Sequence, residues 1–359
     1  MTGDPTALLT AATGWLDRVD PGAHRRVKGL RLVTAYGIAA MLGALHDLAR
    51  SLPDAASLSS LAGGFALWGS VSEGQATRAK SARDLALLSA AATVGAASFI
   101  IALPLLKGLG RAGPELTLAI GAFFVGYLRR FGILGTGVGS QIYIGQLYAF
   151  GAKLSGGDLP TVAMAGAIAA LAAIVPRLLS GPAERPPPYI EVGGHGVALS
   201  MGAQATVAAV AIVALDKLIG LTEAAWAITA CTYVIANSNA GTLDRVRRRI
   251  IGTAVGVPLG LALLPLASQA PLAIWAAAAL AMIIYSMALP ERYDIACGAF
   301  AFTLIVTLAV GGEHSVPLLA ARAWETLIGG LLGLAAATLL FPIRPIVERE
   351  PHDRAGSLP

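Results

Sequence analysis

A polytopic bundle of transmembrane α-helices is the fold class this sequence predicts, and three observations predict it. Over 359 residues the chain is 56% hydrophobic and only 13% charged, with a mean hydropathy of +0.70. So little polar surface cannot cover a soluble globule. Second, the apolar residues fall into runs near the ~20 residues a helix needs to cross a bilayer. Third, the basic residues behind the net charge of +5 lie between these runs and not on one continuous face. That distribution sets membrane orientation and argues against a nucleic-acid partner. A membrane barrel would show short alternating segments, whereas these runs are apolar on most sides.

In chain order, residues 1–26 are mixed and polar, end in His24-Arg25-Arg26, and show no cleavable leader; they read as a cytoplasmic segment. Apolar runs follow at about 28–48, 55–72, 84–106, 114–129, 133–151 and 160–179, giving a first six-helix half over 27–180. A Pro-rich polar stretch containing Pro182, Pro186, Pro187 and Pro188 reads as a stiff cytoplasmic linker over 181–195. Six more runs, at about 197–216, 222–239, 244–267, 271–289, 293–311 and 316–341, form a second half over 196–342, and 343–359 is a cytoplasmic tail. Helix-entry signals stand at Pro114 with Glu115, Thr222 with Glu223, and Ser315 before Pro317.

The stretch 240–260 ties orientation to packing. Arg245, Arg247, Arg248 and Arg249 belong at the cytoplasmic surface, and Gly252, Gly256 and Gly260 place small residues four apart where helices touch. Thr242 is the expected N-cap. With the N-terminus inside, about 20 Lys/Arg collect on the cytoplasmic side and about 5 outside, so both termini are expected in the cytosol. The halves echo each other: Gly74, Arg78 and Lys80 precede the third run as Gly241, Arg245 and Arg247 precede the ninth. With an even number of spans in each half, about twelve spans form a 6+6 parallel internal duplication.

The run into Arg249-Ile250-Ile251-Gly252-Thr253, followed by Arg322-Ala323-Trp324-Glu325-Thr326 and Phe341-Pro342, resembles the fusaric-acid-resistance and aromatic-acid-exporter family of bacterial inner-membrane proteins. The resemblance is sharpest over about 197–342. It implies a multi-pass protein of the bacterial inner membrane that exports aromatic carboxylic acids using the proton gradient. Plant malate channels are distant relatives.

Candidate chemistry lies inside the runs. Arg322 and Glu325 are three apart on one helix face, where an embedded charge costs about 2.5–3.5 kcal/mol even on a lenient scale. Arg322 is a candidate to balance a substrate carboxylate and Glu325 to carry the proton; the alternative is an internal ion pair. Gln141 and Tyr148 share a face on which an aromatic acid could stack and hydrogen-bond. Gln204, Tyr233 and Asn237 offer similar polar groups, with interhelical hydrogen bonding as the alternative.

Other signals exclude function classes. Gly108-Leu109-Gly110-Arg111-Ala112-Gly113 fits a dinucleotide fingerprint but sits in a short outer loop. No phosphate-binding P-loop, catalytic triad or local His cluster is present, so no enzyme activity, cofactor or metal is expected. Cys231 and Cys297 lie in apolar runs, as small hydrophobes. The expected partners are membrane lipids and a small organic acid, with homo-oligomerisation left open. Two further readings stand beside a proton-coupled exporter: a passive organic-anion channel and a non-transporting membrane scaffold.

Overall fold

The computed structural model describes residues 14, 16–50, 57–180, 194–310, 315–340 and 342. The remainder of the N-terminal segment, the linker up to residue 193 and the 343–359 tail lie outside the described residues, and His195 already begins a helix. Each of the twelve apolar runs contains one. In chain order they are α1 (His24–Arg50), α2 (Leu58–Ser72), α3 (Arg78–Leu106), α4 (Ala112–Tyr127), α5 (Gly132–Gly151), α6 (Leu159–Leu179), α7 (His195–Ile219), α8 (Ala224–Val234), α9 (Asn239–Ala262), α10 (Pro271–Ala288), α11 (Tyr293–Val310) and α12 (Val316–Leu339). Among the described residues there is no strand.

Length and apolarity give eight candidate spans: α1, α3, α6, α7, α10, α11, α12 and the continuous helical segment Ala112–Gly151 that holds α4 and α5. The difference from twelve has physical causes. Helix α2 has 15 residues and α8 only 11, because the ends of their runs leave the helix. Helix α9 spends its first turns on the arginines at 245 and 247–249.

Local chemistry explains the helix starts. Ser315 caps α12 by accepting the Leu318 N–H at 3.3 Å, and Glu115 sits in the first turn of α4. The cap of α9 is Ser238, not Thr242. Ser238 is extended and its Oγ accepts the Gly241 N–H at 3.1 Å. Thr242 is buried in the first turn, where its hydroxyl accepts the Ala236 N–H at 3.0 Å and so ties down the chain that enters the helix.

Small residues set the packing. A side chain at Gly252 or Gly256 would strike the α11 backbone at Asp294 and Gly298, and one at Gly260 would strike Ile305. On α12, Gly329 faces the Ala227 carbonyl and Gly333 faces Cys231, so α8 also lies in near-backbone contact. Helix α3 packs on α5 and α6 as α9 packs on α11 and α12; α2 meets α1 and α6 as α8 meets α7 and α12; α5 covers α4 as α11 covers α10. Between these sets, α4 lies along α7 and α10 along α1. Outward-facing leucines such as Leu105 and Leu272 are each 84% exposed, which suits a hydrocarbon solvent and not water.

Candidate functional site

The buried charges of the last six helices converge around α8. Arg322 stands six residues past the start of α12, about 9 Å along its axis, and is buried. Among the described residues its carboxylate partner is Glu223, not Glu325. The Arg322 guanidinium lies 3.6 Å from a Glu223 carboxylate oxygen and covers the Trp226 ring at 4.7 Å. Three residues along one helix would bring Arg322 and Glu325 close, but the fold offers Glu325 a better use. Its Oε1 accepts the Glu223 N–H at 2.8 Å, placing a carboxylate at the N-terminus of α8, where free N–H groups and the helix dipole favour negative charge. Glu325 is fully buried, and its Oε2 has no hydrogen-bond partner among the described residues.

Arg249 arrives from the opposite direction. It lies ten residues past the start of α9, about 15 Å along that axis, and is also buried. Its guanidinium donates to the Tyr293 hydroxyl of α11 at 3.4 Å, and its Nε has no partner among the described residues. Arg249 and Arg322 line one cavity of about 30 Å³ between α8, α9, α11 and α12, room for one or two waters in this conformation. Trp226 and Phe300 supply aromatic walls, with ring centroids 6.4 Å apart; Thr253 and Thr326 add hydroxyls, and the rest is largely apolar. Phe300 stacks edge-on to Trp68 of α2 at 5.5 Å, and Trp68 to Tyr285 of α10 at 6.0 Å, which joins this wall to the first half.

The C-terminal end of α8 is held by cations. Arg129, between α4 and α5, donates to the Ile235 carbonyl at 3.1 Å, and Arg245 of α9 donates to the same oxygen at 3.0 Å. Helix α8 spans about 16 Å, so its ends are held by protein groups where a full-length span would reach water.

Of the substrate residues expected from sequence, the structure brings only Arg322 to this cavity, with Glu325 beside it. Gln141 and Tyr148 do share a face, but α2 fills it: Gln141 donates to Ser72 Oγ at 3.2 Å and Tyr148 meets Phe65 edge-on at 6.1 Å. Gln204 donates to the Leu340 carbonyl at 2.7 Å, closing α7 against the end of α12. Tyr233 packs edge-on to Tyr143 at 5.9 Å. Asn237 lies outside the helix, exposed in the 235–238 connection. Arg249, Trp226, Phe300 and Glu223 were absent from the sequence-derived site. Arg249 carried one signal: it is the member of the basic run set directly against Ile250-Ile251-Gly252, on the apolar side. Among the described residues no three His, Cys, Asp or Glu side chains come together as a metal site would need.

The arrangement offers two fixed cations for an anion, aromatic faces for a ring, and one buried carboxyl with a vacant oxygen. No curated protein and no solved structure matches the chain. Residues 207–336, which carry both arginines, Trp226, Phe300, Glu223 and Glu325, are similar to the sequence model of the fusaric acid resistance protein-like family.

Proposed function

We propose that the protein is a secondary transporter that moves aromatic or other organic acids outward across a bacterial inner membrane, with proton coupling at Glu325. The observation that carries this reading is the convergence of Arg249 and Arg322 on one aromatic-walled cavity. A carboxylate would lie between the guanidiniums and its ring against Trp226 and Phe300. The cavity is smaller than such a ligand, so occupancy requires α8 to yield. The site belongs to a proposed twelve-helix, parallel 6+6 arrangement with both termini cytoplasmic. The recurrence of helix partners between α1–α6 and α7–α12 supports the duplication, and the basic connections support the orientation.

A passive anion channel is the second reading. It is favoured by Arg249, which has a phenol and no carboxylate against its guanidinium among the described residues, so the pathway is positive without any titration. Efflux of benzoate from reconstituted vesicles, with protein-free vesicles as the reference, separates the two. For a coupled transporter the rate depends on an imposed pH gradient and Glu325→Gln flattens that dependence; for a channel the wild-type rate follows the anion gradient and membrane potential alone.

A further inference from the structure

We infer that proton and acid anion bind this site together, so that they cross the membrane as a neutral pair and are not exchanged for one another. The inference rests on the Arg249–Arg322 cavity being the substrate site and adds the sign of its coupling. Glu325 is the buried carboxyl beside Arg322, and its two oxygens are unequal. Oε1 is engaged by the Glu223 N–H at 2.8 Å and the Thr222 N–H also faces the carboxylate, whereas Oε2 is buried with no hydrogen bond of good geometry among the described residues. A proton therefore has a place on Oε2 that leaves the Oε1 bond to α8 intact.

The charges facing Glu325 from each neighbouring element fix the sign. Its own helix presents Arg322 and the entry to α8 presents Glu223, while Arg249 of α9 reaches the cavity that Arg322 lines. Helix α11 contributes the neutral Tyr293 phenol and Cys297 thiol. The Asp216 carboxylate of α7 is taken up by the Leu221 N–H at 2.7 Å. Protonating Glu325 removes one negative charge next to the Arg322 guanidinium. The potential in the cavity becomes more positive, which favours an anion. Conversely, a carboxylate between the arginines repels the charge on Glu325 and favours its protonation. Linkage makes these two statements one coupling free energy. Exchange of a proton for an anion needs the opposite, a proton that displaces the substrate, and no group here supplies it. The pair carries no net charge, so outward movement runs on the accumulated acid itself and the inward proton gradient opposes it, in contrast to the gradient-driven export that the family resemblance implies.

The test is calorimetric binding of benzoate to the purified full-length chain between about pH 6 and pH 8.5, where the ligand stays ionised. Measurements in buffers of different ionisation enthalpy count the protons taken up by the protein. The expected result is uptake approaching one proton per benzoate on the alkaline side, with a Kd that rises up to about tenfold per pH unit. Glu325→Gln should bind with a Kd that does not change with pH, since the amide still accepts the Glu223 N–H but cannot titrate. Proton release, or binding with no proton exchanged and a flat Kd in the wild type, overturns co-binding while leaving the site in place. Absence of benzoate binding at every pH overturns the site assignment and this inference with it. The wild-type proton count decides the matter even where the Gln variant fails to fold.

Discussion

Arg322 and Glu325 were legible in the sequence because a charge inside an apolar run is conspicuous. Their partners were not, because Glu223 is about a hundred residues distant along the chain and only the packing of α8 on α12 joins them. Arg249 was hidden for another reason: it ends a basic run that topology alone explains. Its role is exposed by substitution. Arg249→Gln should weaken benzoate binding by about ten- to a hundredfold, the range for losing a charge-assisted hydrogen bond. Glu223→Gln should act the other way. Removing the Glu223 carboxylate takes one competing negative charge from beside Arg322, and the expected gain in affinity is modest, up to about fivefold, because the pair is partly exposed. Titration of both variants at one fixed pH checks the signs; equal losses in both would remove the distinction between a ligand-facing arginine and a competing carboxylate.

At the scale of the element, apolar runs located α1–α12, and glycine spacing identified the contact face of α9. What the runs missed were the lengths of α2 and α8. Apolar residues continue past their ends, and a hydrophobic run does not reveal where its backbone turns. The glycine stripe makes a paired prediction. Gly256→Ala places a methyl group against the Gly298 backbone and should cost about 1–3 kcal/mol, the range for overpacking at a tight contact. Gly37→Ala in α1 meets nothing within 4 Å and should stabilise by about 0.5–1 kcal/mol through helix propensity. Thermal unfolding in detergent should move the two midpoints in opposite directions. A Gly256→Ala midpoint at or above the wild type would mean that the α9–α11 contact loosens at no cost.

For the whole molecule, composition alone gave an all-helical membrane protein, and the distribution of basic residues gave its proposed orientation. The way the halves interlock was beyond the sequence, since α4 meeting α7 and α10 meeting α1 depend on which helix faces are small. Orientation is checked by single cysteines at exposed positions, in a chain whose own Cys231 and Cys297 are both buried. Sites introduced at Arg78 and Arg247 should resist an impermeant thiol reagent in intact cells, whereas one at Lys153 should react. Labelling at Arg247 from outside would invert the proposed topology.

The carbonyl of Ile235 has a mechanical consequence. Arg129, from the hairpin of the first half, and Arg245, from the second, grip one oxygen at the C-terminal end of α8, while Glu325 grips an N–H at its N-terminal end. Helix α8 is thus a short strut seated at both ends by charges of opposite sign. Sliding along its axis would disturb both seats, whereas tilting about the Ile235 end disturbs only the bond to Glu325. Widening the cavity by leaning α8 away from α12 would therefore cost that bond and keep the arginine pair as the fulcrum.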